Sequence, residues 1–320
     1  MLKYAKWAVG LFALLSSSAS FAQTYPTKPV RIIVPYQAGQ GTDVVARYFG
    51  DQLSRTTGQR FYVENKPGAG GNIGAEQAAH SEPDGYTIFM GTNATQTMNE
   101  FMYASMGFVP EKDFAPIILV GKLPMLIAAS PSFAGNSVAD LVAAAKATPD
   151  KVDMALPSTT ARVVFEFLKE KTGARLYAVP YKGSATALTD VLGGQVPLII
   201  DTVTALRSQI ADGKLKALGI SALKATDLMP GVKPIAEQGV PDFEVTGWNA
   251  FYAPRDTPQP VIDLLNAEIA KALALPETQK RLLELGFDPA GGTPAELARF
   301  EAKERQKWGP VIKATGLQGG

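Results

Sequence analysis

Residues 30–43, VRIIVPYQAGQGTD, carry the first candidate chemistry. Val30, Ile32 and Val34 are β-branched and read as a strand that Pro35 closes. A small polar loop follows, Tyr36, Gln37, Ala38, Gly39, Gln40 and Gly41, and then Thr42 or Asp43 in position to cap a helix running on through Val44. A strand, a glycine loop and a helix start aim unpaired backbone N–H groups and the positive end of a helix dipole at one point. That arrangement binds anions.

Three more loops fall at the ends of expected strands. Thr92, Asn93 and Thr95 follow the first. Ser158, Thr159, Thr160 and Arg162 follow the second, and Asp201 and Thr202 the third. Ligands of open α/β sheets lie just outside the carboxyl ends of the strands. These loops are rich in hydrogen-bonding groups that bear no fixed charge. Taken singly, each Thr or Ser reads equally well as a cap or turn residue. Arg162 lies in a first helical turn, where it is either a solvated charge or a bidentate partner for a ligand carboxylate. Four or five charge-assisted hydrogen bonds at roughly 1.5–3 kcal/mol each, less immobilisation and closure costs, allow a Kd between about 1 μM and 1 nM.

Other chemistries fail on residue counts or spacing. There is no cysteine, which excludes disulfides, thiol chemistry and a lipid-anchored cysteine. The single histidine, His80, reads as a surface residue; a zinc site needs three or four such ligands. No Gly-x-Ser-x-Gly elbow accompanies it. Gly68 and Gly70 begin a dinucleotide fingerprint, but Ile73 stands where its third glycine belongs, and Val44 does the same after Gly39 and Gly41. Lys182, Gly183 and Ser184 hold the letters of a phosphate loop in the wrong order. No pair of carboxylates is singled out for acid–base work. The expectation is a binding protein, not an enzyme, with no cofactor and no metal.

The elements that position these loops can be read in order. Residues 1–22 have the pattern of a secretory leader: Lys3 and Lys6, an apolar run over 7–15, and Ser20, Phe21 and Ala22 before Gln23. Without Lys3 and Lys6 the formal net charge of +1 becomes −1, which gives no basis for nucleic-acid binding. No later apolar run reaches the ~20 residues of a spanning helix. Strands expected over 30–34, 60–64 and 86–90 alternate with helices, as do strands over 152–156, 175–179, 196–200 and 215–221. This is the pattern of βαβ units on mainly parallel sheets. Residues 114–120 read as a crossover, 121–124 as a break, 125–129 as a further strand and 248–253 as the return. Three helices expected over 260–273, 277–285 and 295–313, with no strand between them, should pack on the first sheet. The expectation is two lobes: 23–122 with 248–320, and 123–247, hinged at 121–124 and 246–248.

At this point the chain resembles a known family. The carrying pieces are Tyr25-Pro26-x-Lys28-Pro29, the loop from Pro35 to Asp43, VENKPGAGGNIG over 63–74, and Pro83-Asp84-Gly85-Tyr86. Lys112-Asp113-Phe114-Ala115-Pro116, VPYKGS over 179–184, LGGQV over 192–196 and Pro254-x-x-Thr257-Pro258 complete the set. Together, and in this order across the mature chain, they resemble the extracytoplasmic solute-binding receptors of tripartite tricarboxylate transporters, the Bug family. The resemblance implies a two-lobed, type II-like Venus flytrap in the periplasm. It implies a monomer that closes on a small carboxylate and hands it to membrane transporter subunits. In the family, the loop after the first strand and a facing loop of the second lobe pinch the carboxylate, often through ordered water. On this chain the first loop is Tyr36 to Asp43. Two departures stand out. Gln40 separates Gly39 from Gly41 where the family has consecutive glycines. Arg162 falls in a facing loop that usually carries a Gly/Ser-rich run and a His. The expectation is that Arg162 adds a second anion contact, favouring a dicarboxylate or an aromatic acid with a distal acidic group. Two other readings share these residues: a co-receptor for a two-component sensor, and a secreted enzyme.

Overall fold

The computed structural model describes residues 25–314. The leader expected over 1–22 lies outside the described residues. The strands are β1 (Val30–Val34), β2 (Phe61–Asn65), β3 (Thr87–Thr92), β4 (Phe114–Ala129), β5 (Asp153–Leu156), β6 (Tyr177–Pro180), β7 (Leu198–Thr202), β8 (Lys216–Ile220), β9 (Thr246–Pro254) and β10 (Asp288–Gly291). They form one 10-stranded mixed sheet ordered β2-β1-β3-β9-β4-β7-β5-β6, with β10 and β8 also pairing β4. The helices pack on both halves of it.

Parallel pairing is confined to the two wings. β1 runs parallel to β2 and β3, and β5 runs parallel to β6 and β7. Every pairing of β4 is antiparallel, as is that of β3 with β9. The sheets are therefore mixed, less parallel-rich than the alternating sequence suggests. Antiparallel strands join the wings because both crossings run between lobes as extended chain.

Those crossings differ from the expected break. β4 is a single 16-residue strand through Gly121 and Pro124. Pro124 pairs with Thr246 of β9, and the next residue, Met125, pairs with Thr202 of β7. The proline thus falls where the strand changes partners, a position that tolerates a missing N–H. Lys122, Leu123 and Pro124 lie opposite Trp248, Gly247 and Thr246, so the outgoing and returning crossings are hydrogen-bonded to each other.

The last third also departs from expectation. A strand does interrupt the three helices: β10 pairs with β4 across Lys122, Gly121 and Leu119. The helix Pro294–Ala314 does not stay with the first sheet. Leu297 packs in a cluster with Phe89, Trp248 and Tyr252, whereas Trp308 and Ile312 join the core of Phe165, Val163 and Ile127 in the second wing. Trp308 meets Phe167 edge-on at 6.0 Å. Glu304, between the two ends, accepts hydrogen bonds from the indoles of Trp248 (3.3 Å) and Trp308 (3.1 Å). The amphipathic spacing reveals a buried stripe but not that its two halves serve different cores.

Candidate functional site

β1, β3, β5 and β7 end on one cleft. It holds a main cavity of about 420 Å³ and, beneath it, an inner recess of about 60 Å³. Tyr36, Gln40 and Ser158 line both. Gln37, Thr159 and Arg162 line the main cavity; Gly41, Thr42, Thr92, Asn93, Thr160, Asp201 and Thr202 line the recess.

Four of the anticipated residues stand elsewhere. Ala38 and Gly39 are exposed on the outer side of their loop. Asp43 is not a cap, because the helix Gly41–Thr57 starts two residues earlier with Gln40 at its N-cap. Its carboxylate is consumed inside the fold, accepting from the N–H of Gly39 (2.8 Å), from Asn65 Nδ2 (2.8 Å) and from Arg47 Nε (3.0 Å). Burial opposes the charged form, but these bonds outweigh it and hold the pKa of Asp43 below the usual value. Thr95 is spent on the turn, where Oγ1 accepts from the N–H of Thr92 at 3.1 Å. Asp43 and Thr95 set the shape of loops that other residues present.

Helix starts dominate the electrostatics. Helices Gly41–Thr57, Asn72–Ala79, Thr159–Thr172, Ser184–Leu192 and Val203–Ala211 each have their first residue or their N-cap in the cleft lining. Ser158 and Thr202 cap two of them, accepting from the N–H groups of Ala161 and Ala205. The N-caps Gln40, Gly71 and Gly183 make no side-chain cap bond. Three helices thus leave their first N–H groups free of a capping side chain beside the cavities, each with its positive dipole end there.

Fixed charge has the same sign. Arg162 and Lys182 line the main cavity, and neither forms an ion pair among the described residues. Among the described residues lining that cavity there is no Asp or Glu. Tyr36 shares a hydrogen bond with Thr92 Oγ1 at 3.0 Å, and burial pushes its phenol up to about 12, so it stays a neutral donor and acceptor at physiological pH. Burial also raises Tyr103, against the opposing pull of the Arg162 charge.

Contacts tie the two sides together. Gln40 Nε2 donates to Ser184 Oγ at 3.3 Å, and Asn93 Nδ2 donates to Thr160 Oγ1 at 3.0 Å. Gly183 lies so close to the first loop that a Cβ there would stand 2.6 Å from Gln37 Oε1.

The loop of Pro67, Gly68, Ala69, Gly70 and Gly71 also lines the main cavity, with Tyr103, Tyr181 and Lys182; Ser184 and Asn249 line the recess. The sequence contained a usable signal for two of these segments. Gly70 and Gly71 precede a helix, and Lys182 and Gly183 precede another, the same features that pointed to residues 36–43. In sequence both segments fail as nucleotide motifs and carry the family resemblance, but neither is singled out as a ligand-binding loop. Gly70 has φ of +63° and its missing Cβ would fall 2.6 Å from the Tyr103 hydroxyl, so glycine is required there on both counts.

His80 ends the helix Asn72–Ala79 and is exposed. Among the described residues no three His, Cys, Asp or Glu side chains group as a metal site, and no helix is long and apolar enough to cross a membrane.

Residues 45–317 match the Tripartite tricarboxylate transporter family receptor. Protein BugT of Bordetella pertussis is 34% identical over 315 residues, which cover 97% of each chain. An R. palustris protein solved with adipate superposes with a TM-score of 0.89 at 34% identity, covering 91% of this chain and 98% of that one. MatC from Rhodopseudomonas palustris, solved with bound malate, gives 0.84 at 29% identity, covering 90% and 100%.

Proposed function

We infer the function from one premise: the chain belongs to the tripartite tricarboxylate transporter receptor family, that of the Bug proteins. It is a periplasmic receptor that captures a small organic carboxylate between its lobes and delivers it to membrane transporter subunits. The observation that carries the reading is the sign of the main cavity. Two unpaired cations, Arg162 and Lys182, and the uncapped helix start at Gly71 line a space with no acidic lining among the described residues, and the uncapped start at Gly183 directly follows Lys182. Such a site favours an anion over any neutral isostere.

Adipate and malate, held by relatives, are both dicarboxylates. That supports a dicarboxylate here, with one carboxylate against the first loop and Gly70–Gly71, and the other against Arg162. The lobes divide near 122 and 247, and the hinge is the paired stretch of β4 and β9. The leader pattern over residues 1–22 supports export. The proposed chemistry is capture and release without turnover.

A thermal-shift screen against carboxylic acids, with the matching amides as controls, tests the reading. A ligand at 100 times its Kd stabilises by about 2.7 kcal/mol, a shift of roughly 4–5 °C for a chain of this size. Acids should shift the transition and amides should not. Ligand-free protein that responds to no acid would overturn the carboxylate assignment.

A further inference from the structure

The inner recess holds two polar atoms whose hydrogen-bonding capacity is unused. Asp201 is 2% exposed and Asn249 is 1% exposed, and both line this space. Asp201 Oδ1 accepts the N–H of Thr202 at 2.7 Å, but Oδ2 has no hydrogen-bond partner. Asn249 Nδ2 has none either. A buried polar group without a partner is costly, and native proteins almost always satisfy such groups. Here an acceptor and a donor are left open in the same space, directly below the ligand cavity.

The size of the recess limits what can answer them. About 60 Å³ is room for a single small substituent or roughly two waters by their share of liquid volume. The substituent must donate to a carboxylate oxygen and accept from an amide N–H. A methylene does neither, and an ammonium donates but cannot accept. A hydroxyl does both.

Resting on the carboxylate reading above, we propose that the recess is a specificity subsite for a hydroxyl group on the ligand, donating to Asp201 Oδ2 and accepting from Asn249 Nδ2. The preferred ligand class is then a hydroxycarboxylate. The neighbourhood fits this assignment. Ser184, which contacts Gln40 from across the cleft, lines the recess beside Asp201, so the polar pair is enclosed only when the two sides meet. Met125 and Leu123 complete the lining.

Calorimetric titration of ligand-free protein with matched triples tests the proposal: succinate, malate and aspartate, then adipate, 2-hydroxyadipate and 2-aminoadipate. In the triple of the right length, the hydroxy member should bind about 10- to 100-fold more tightly than the unsubstituted acid. That ratio should collapse toward one in Asp201→Asn, which puts a donor where the acceptor stood, and in Asn249→Ala. A purely structural role for these residues would weaken all members alike and leave the ratio intact. Equal affinity across a triple that does bind would overturn the subsite while leaving carboxylate capture standing. Preference for the amino member would overturn the hydroxyl assignment in the same way. If neither variant folds, the wild-type ratios alone decide. Failure of all six acids would remove the carboxylate reading and the subsite with it.

Discussion

Gln40 and Ser184 are 144 residues apart in the chain, yet Gln40 Nε2 and Ser184 Oγ lie 3.3 Å apart. Gln40 ends the loop after β1 and Ser184 opens a helix of the opposite wing. Their contact closes the cleft above the inner recess, and it depends on the small residue just before Ser184.

Gly183→Ala tests that dependence. The added Cβ would stand 2.6 Å from Gln37 Oε1 and 3.2 Å from Gln40 Nε2, both ends of flexible side chains. These amides can swing aside, so the fold survives while the cross-cleft contact is lost. Ligand affinity should fall about 3- to 15-fold, the equivalent of one hydrogen bond, with the melting temperature of free protein nearly unchanged. Gly74→Ala is the contrast. There the Cβ would meet backbone, Lys66 O at 2.8 Å and Pro35 Cα at 2.9 Å, so the cost falls on stability, at about 1–3 kcal/mol in denaturant titration.

Arg162→Ala should weaken binding of the best carboxylate about 10- to 100-fold, because it removes a charge-assisted contact. The stability of the free protein should change little, since no acidic residue among the described ones pairs with Arg162. Titration calorimetry and a melting curve on the same preparation check both halves. Unchanged affinity would remove Arg162 from the site.

Asp201 makes stability depend on pH. Burial pushes its carboxyl up from 3.8 to about 6. A group raised in the folded state contributes stability fully at pH below about 4, and that contribution is lost as pH rises through about 6. Asp201→Asn escapes the loss. The variant should match wild type near pH 4 and exceed it above pH 7, by up to about 3 kcal/mol. Calorimetric scans from pH 4 to 8 measure the difference, and a difference that does not vary with pH would contradict the buried, ionising carboxyl.

Asp43→Ala should cost about 1–3 kcal/mol and loosen the first loop, because it strips partners from Gly39, Asn65 and Arg47 together. The sign with pH is opposite to that of Asp201. Asp43 is held below its usual value, so its contribution is present above about pH 4 and is lost as acid protonates it. The wild-type advantage over the variant should therefore shrink in acid denaturation curves below pH 4.

Much of this was legible in the chain. β-branched runs closed by glycine or proline located β1 and β3, and the loops after β1, β3, β5 and β7 do meet at the cleft. What escaped was of three physical kinds. Tyr103 ends a four-residue helical turn, Asn99–Met102, that continues a π-helix turn, Ala94–Met98, and neither is long enough to show a sequence period. β10 is four residues, Asp288–Gly291, containing a proline and a glycine; it exists only because β4 offers an edge. Gly121 and Pro124 read as a break because strand propensity counts them against pairing, whereas the tertiary register puts the proline at a change of partner. Asp43 read as a helix cap and site residue, whereas it lies inside the first turn, already saturated by Arg47 and Asn65.

The pairing of β4 with β9 at Lys122, Leu123 and Pro124 has a mechanical consequence for the hinge proposed there. Two separate threads would let the wings swivel, slide and twist independently. A hydrogen-bonded ribbon bends readily across its thin direction and resists shear, because sliding by one residue would break the match of Lys122 with Trp248 and of Pro124 with Thr246. The lobe opening proposed above would thereby be held close to a single coordinate. The proposed closure would bring the two sides back in one alignment, with a clearance as small as that between Gly183 and Gln37.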